Sequence, residues 1–464
     1  MNSQQMNKSN KMNSIETKAA LTLSSVFALR MLGLFMLLPV FSLVGKELEG
    51  FTPILIGFAI GAYGLTQAIL QIPFGWMSDK FGRKPIILFG LLLFLAGSLV
   101  AALSDHIYGV IAGRLLQGCG AIASSIMALA ADLSRDEQRT KIMASIGMSI
   151  GAAFAIAMII GPVITQWVGL SGIFYGIAGL SVLAMMIILL VTPNPEKQFT
   201  QRDAIASRGQ FSKILSDRQL MRLNFSIFTL HFLLTSFFVA FPYRLENLGI
   251  ELSGHSWLYL VTMCGAVFLM LPMIIYAEKK RQHSRMMMFG VILIAIVQFS
   301  FGMFQFPLTI VIIAMTVYFT GFNLMEALLP SMISRLAPLS GKGTALGVYS
   351  TSQFMGAFLG GPIAGLTMQT MGYDGIYLVG AIAALIWAVI LFGLENPPAL
   401  TAYTLTMPDI AEDAFPDLVE ELKALEGVAE AVALPEAGAV YLKVDNEIVD
   451  KEKLSNYSHR KSNC

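Results

Sequence analysis

At 464 residues, with 55% hydrophobic and 13% charged side chains, a formal net charge of +1 and a mean hydropathy of +0.68, the chain is too apolar for water-soluble domains. Its 31 basic and 30 acidic residues carry no sign of a nucleic-acid partner, and its 3 cysteines, Cys119, Cys264 and Cys464, give neither a disulfide framework nor a metal site. The apolar residues fall in blocks of about 20 or more, the length a helix needs to cross roughly 30 Å of hydrocarbon.

Residues 1–18 are polar and mildly basic. The apolar block that follows, Ala19 to about Gly45, exceeds a signal-peptide core and lacks a small-residue cleavage site, so it reads as a retained first span. Hydropathy then predicts spans at 19–44, 52–77, 85–104, 106–132, 141–167, 171–192, 222–245, 255–277, 286–304, 307–333, 343–370 and 374–395. With residues 1–18 and the intervening loops on the cytoplasmic side, that side holds 21 Lys and Arg, against Lys46 and Arg244 outside. Such a bias predicts a multi-pass protein with both termini cytoplasmic.

The spans divide into bundles of six, 19–192 and 222–395, joined by a cytoplasmic linker, 193–221. Gln71-Ile72-Pro73 through Ser78-Asp79-Lys80 is echoed by Met270-Leu271-Pro272 through Ala277-Glu278-Lys279, and Gly161-Pro162 by Gly361-Pro362. A duplicated bundle of this kind is the architecture of a secondary transporter. Residues 396–464 change character: the stretch from Ala399 holds 13 acids against 6 bases and no span. It predicts a strand at Tyr403–Met407, a helix on Phe415, Leu418, Val419, Leu422 and Leu425, strands at Ala429–Leu434 and Ala439–Val444, and a second helix over 448–457. The fold class expected is therefore an all-α membrane protein of twelve transmembrane helices in two pseudo-repeats, with a small ferredoxin-like α+β domain at the C-terminus.

Few ionisable residues lie inside spans: Arg30 in the first, Arg114 in the fourth, His231 in the seventh and Glu326 in the tenth. Each is costly in hydrocarbon and thus a functional candidate. Asn323 lies three residues before Glu326, giving one polar stripe on an otherwise apolar helix. A carboxylate whose surroundings alternate between water, apolar contact and a nearby cation takes up and releases a proton, which makes Glu326 the first candidate proton site and His231 the second. A permanent salt bridge of Glu326 with Arg30 or Arg114 is the competing reading. Tyr63, Gln67, Asn224, Trp257, Tyr349 and Gln353 are further polar or aromatic residues for the interior.

Gly75-Trp76-Met77-Ser78-Asp79-Lys80-Phe81-Gly82-Arg83-Lys84-Pro85 resembles the signature loop between the second and third helices of the major facilitator superfamily. The glycines allow a tight turn, Asp79 offers a carboxylate to backbone amides, and Arg83 can hold a second carboxylate bidentately. The resemblance implies that Asp79 meets the N-terminal end of the eleventh helix and that Arg83 pairs with Asp132. Together with Gly75, Gly82 and Lys84 they would latch the halves in the outward-facing state. Arg114-Leu115-Leu116-Gln117-Gly118 resembles the family's R-x-x-x-G element, and Gly161-Pro162 the core of the antiporter motif of drug-efflux members, with Ala157 and Thr165-Gln166 departing from it.

The function expected is proton-coupled export of small hydrophobic or amphipathic molecules across a bacterial inner membrane by alternating access, with no cofactor and no metal. A proton symporter for uptake, or a transporter-like sensor signalling through the tail, are the alternatives. The tail itself is expected to bind a partner or to self-associate. No G-x-x-x-x-G-K-[ST] loop and no enzyme constellation is present.

Overall fold

A computed structural model of the protein describes residues 12–195, 208–338, 341–397, 400–406, 414–434, 439–445, 448–450 and 454. Ten helices among these residues are long and apolar enough to cross a membrane. Helix α1 (Ser14–Phe35) begins in a capping box: Asn13 Oδ1 accepts from the Glu16 amide, and the Glu16 carboxylate accepts from the Asn13 amide. The same carboxylate accepts from Arg135 Nε at 2.8 Å, pinning the start of α1 to the chain entering α6. The first span was expected to run to 44, but α1 stops at Phe35; turns follow, then a short helix at Phe41–Val44. Pro39 explains the stop, because it lacks an amide donor and disfavours helical backbone before it.

Next come α2 (Pro53–Phe81), α3 (Arg83–Ala102), α4 (Ile107–Cys119), α5 (Ala123–Asp132) and α6 (Asp136–Met186). The expected span 106–132 is present as Ile107–Asp132, one of the ten, but its helix is broken between α4 and α5, where Ala121 donates to Cys119 O and Ile122 to Gly120 O in tight turns. At the break Gly120 leaves helical backbone, at φ −76, ψ 54, and only hydrogen fits there, because a Cβ would meet the Gly90 carbonyl of α3 at 2.3 Å. After α7 (Arg208–Ser216) the second half holds α8 (Arg218–Asn247), α9 (Leu252–Lys280), α10 (His283–Met303), α11 (Leu308–Leu336) and α12 (Lys342–Leu391). Pro330 in α11 has no N–H to give the carbonyl four residues back, which belongs to Glu326.

Helices α6 and α12 are 51 and 50 residues long. Straight, each would extend about 75 Å, more than twice the hydrocarbon thickness. A single glycine divides each path: Gly169 at φ 65, ψ −170 and Gly372 at φ 73, ψ −177.

The two halves meet most closely along α2 and α12. A Cβ on Gly57 would lie 2.1 Å from the Gly361 carbonyl, and one on Gly361 2.0 Å from the Gly57 carbonyl, so only hydrogen fits at this crossing. Phe58 meets Phe358 edge-on at 5.5 Å, and Phe154 stacks on Phe322 at 5.9 Å. At the end of the bundle opposite the Gly75–Pro85 loop, Tyr243 donates its hydroxyl to Ser42 O at 2.5 Å, Ser42 Oγ donates to Phe238 O at 3.3 Å, and Lys46 pairs with Glu246 at 3.4 Å. Here the halves are drawn together.

Beyond the membrane body, β1 (Leu400–Thr406), α13 (Phe415–Lys423), β2 (Val428–Leu434) and β3 (Ala439–Asp445) form an antiparallel sheet in the order β1-β3-β2, a split βαβ arrangement. Leu405, Ala431, Val440, Leu442 and Val444 share a small core with Phe415 and Leu422. Most of the second helix expected over 448–457, and the turn between β2 and β3, lie outside the described residues. On β3, Lys443 Nζ donates to Arg335 O at 3.2 Å and to Ala337 O at 2.6 Å, docking the sheet on the end of α11.

Candidate functional site

The signature loop forms a charged cluster at the junction of α2, α3 and α5. Gly82 joins α2 to α3 at φ 96, a conformation that favours glycine. Arg83, 3% exposed, donates from Nε to Asp132 Oδ2 at 2.9 Å and from Nη1 to Ser78 Oγ at 3.2 Å, and it pairs with Asp79 one turn before it. Lys84 Nζ donates to Thr192 O at 2.6 Å, tying the start of α3 to the end of the first half. A Cβ on Gly75 would sit 3.4 Å from Ser124 Oγ, an ordinary contact. The partners described for Asp79 and Arg83 lie in the first half, and the first turn of α12 has no side-chain cap.

A different cluster forms between the ends of α9 and α11 and the start of α10. Glu278 accepts from Arg335 Nη2 at 2.9 Å and lies 3.2 Å from His283 Nε2, while Arg281 takes the left-handed backbone at φ 51. Asp132 ends α5 as an acid, and Arg335 stands near the end of α11 as a base, so the sign of the charge is reversed.

In the bundle interior the ionisable groups separate by half. Arg114 is saturated: Nε donates to Ala59 O, Nη2 to Ile60 O and Nη1 to Gln117 Oε1, with Tyr63's ring 4.7 Å from its guanidinium. It ties α4 to α2. Arg30 Nη2 donates to Gln67 Oε1 and to Gly120 O, the carbonyl at the break between α4 and α5. In the other half, His231 Nε2 lies 2.9 Å from Gln353 Nε2 and 3.9 Å from Glu326 Oε2, and Nδ1 faces Ile227 O at 3.3 Å. Because the Ile227 carbonyl can only accept, the contacts fit the tautomer with the proton on Nδ1, in which Nε2 accepts from the glutamine amide. Glu326 is partly exposed, its Oε2 is without a hydrogen bond, and its ionic neighbour is His231 rather than Arg30 or Arg114. Asn323 lies on the same helix, partly buried.

The two glycine-proline pairs do different packing jobs. A Cβ on Gly161 would meet Met36 O at 2.7 Å, within the first half, whereas Gly361 crosses to α2 of the other half. Pro162 and Pro362 lie inside α6 and α12. Among the interior residues named from sequence, Gln67, Asn224 and Tyr349 are buried, but Trp257 is 68% exposed on α9 and faces away from the core. Sequence reasoning missed the Ser42–Tyr243 and Lys46–Glu246 contacts. Lys46, one of two bases in the loops expected on the outside, was the available signal.

This helical body, its paired glycine crossings and its signature-loop cluster define a membrane transporter. A sequence model described as "Major Facilitator Superfamily" matches residues 23–325 and 223–406, and the chain belongs to that superfamily. It is 43% identical over 445 residues, 96% of this chain and 98% of the relative, to "Inner membrane transport protein YajR" of Escherichia coli (strain K12). Against "Multidrug resistance protein MdtH" of Aeromonas salmonicida (strain A449) identity is 25% over 71% of this chain and 82% of the relative. A crystal structure of a D-xylose-proton symporter superposes with a TM-score of 0.69 at 16% identity, covering 83% of this chain and 99% of that one, a likeness of fold.

Proposed function

We propose that the chain is a proton-coupled carrier of an inner membrane, exporting small hydrophobic or amphipathic compounds by alternating access. Splitting α6 at Gly169 and α12 at Gly372 gives twelve spans, six before the linker and six after it, with both termini cytoplasmic. Support for a duplicated body comes from the left-handed backbone recurring at Gly82 and Arg281 and at Gly169 and Gly372, each pair about 200 positions apart.

The observation that carries the proton reading is the trio Gln353, His231 and Glu326. Protonating His231 Nε2 turns an acceptor into a donor. The Gln353 amide must then rotate or withdraw, and the imidazolium gains an interaction with the Glu326 carboxylate. Because Gln353 belongs to α12, the proton acts on a helix that packs against both halves. In this cycle the contacts of Ser42, Lys46, Tyr243 and Glu246 close the outer end, and the Asp79–Arg83–Asp132 cluster closes the opposite end by reaching the start of α12. Substrate-driven proton flux in proteoliposomes tests the reading: Glu326→Gln is expected to abolish proton movement while sparing substrate counterflow. Unaltered proton flux in that variant would end the assignment.

A further inference from the structure

Arg30 and Arg114 are equally buried, at 2% and 1% exposure, yet they are not equally satisfied. Every guanidinium nitrogen of Arg114 has an acceptor. Arg30 uses only Nη2, and its Nε and Nη1 are buried with no acceptor. Of the two acceptors it reaches, Gln67 Oε1 and Gly120 O, the second belongs to the interruption between α4 and α5, so the guanidinium is held three residues before the first residue of α5. The first amides of that ten-residue helix, from Ala123, Ser124 and Ser125, have no acceptor inside the helix, and its N-cap Ile122 supplies none. Positive potential from the helix start and from Arg30 therefore gathers at one break in the backbone.

No carboxylate balances it nearby. The interior of the first half contains two arginines and no acid, and Glu326, the acid within a span of the second half, lies against His231. A buried guanidinium with two idle donors is costly to keep unless an anion arrives during the working cycle. Resting on the carrier reading above, we propose that the transported molecule is an amphipathic organic anion, a carboxylate or sulfonate on an apolar body, whose acidic group binds Arg30 at the start of α5. Aromatic rings at two contacts between the halves suit the apolar body: Tyr63 of α2 meets Phe354 of α12 edge-on, and Phe154 of α6 packs against Phe319 and Phe322 of α11. A neutral compound can offer these donors a carbonyl oxygen but no charge, and a cationic one is repelled.

The test uses the full chain in lipid nanodiscs, with thermal unfolding as readout and three acids, 2-naphthoate, 4-phenylbenzoate and cholate, each compared with its primary amide. Acids are expected to stabilise wild type at concentrations about tenfold or more below their amides, the size of one charge-assisted hydrogen bond. Arg30→Gln erases that preference, and Arg30→Lys keeps part of it. Should Arg30→Gln fail to fold, Gln67→Leu, which removes the acceptor that orients the guanidinium, weakens the acids and leaves the amides unchanged. Amides matching acids on wild type, or acid preference persisting in Arg30→Gln, would overturn the proposal. Proton flux in proteoliposomes separates the two readings. Amides that move protons where acids do not remove the anion site and leave the carrier; acids that bind through Arg30 while no compound moves protons do the reverse.

Discussion

Gly361→Ala probes how the halves are held. The added methyl would lie 2.0 Å from the Gly57 carbonyl oxygen, a backbone atom that cannot rotate aside. Reaching an ordinary contact requires α2 and α12 to part by about 1.4 Å at a crossing packed to crystal density. Overpacking of this kind costs roughly 1–3 kcal/mol, which moves a two-state equilibrium by roughly 5- to 150-fold. The cost falls on the arrangement in which Gly57 and Gly361 touch, so the end bearing Lys46 and Glu246 should open. Spin labels at Phe51 and Trp257, both exposed and on opposite halves, report that opening as a longer distance by electron dipolar spectroscopy. A distance distribution identical to that of the parent would refute the reasoning, because the methyl would then have been absorbed without parting the helices.

Tyr243→Phe removes a buried hydrogen bond to Ser42 O and is expected to favour opening of the same end by about 1 kcal/mol, read as faster thiol labelling of a cysteine at Val44. Unchanged labelling contradicts it. Asp132→Asn leaves Arg83 with Asp79 and Ser78 but one charge short, an expected loss of about 3 kcal/mol visible as a lower thermal midpoint. A midpoint equal to wild type would show the pair to be dispensable. Lys443→Met removes both hydrogen bonds to the end of α11, so the α+β domain should undock and hydrogen exchange across β3 should speed up; equal exchange rates would argue for another attachment.

What could be read from sequence follows from which forces leave a one-dimensional trace. Hydrophobic blocks reveal spans because hydrocarbon demands length, and Val440, Leu442 and Val444 reveal a strand because pleating demands alternation. The signature loop pointed to the superfamily through residue types whose backbone and charge requirements are local, Gly82 above all. The need for glycine at the Gly120 break was invisible because it is set by the Gly90 carbonyl of another helix. Likewise the difference between Arg114 and Arg30 depends on which carbonyls of α2 and α4 happen to face each guanidinium. The partner of Glu326 was missed for the same reason: sequence offered Arg30 or Arg114, while distance selects His231.

Pro330 gives α11 a mechanical character. The helix lacks a backbone bond at Glu326 itself, so its joint lies at the carboxylate, and the stretch from there to Arg335 is a lever of about 13 Å. Bending by about 10° at a proline joint swings the far tip through roughly 2 Å. Lys443 grips that tip, so a bend at this joint would reach the α+β domain as displacement, with no messenger between them.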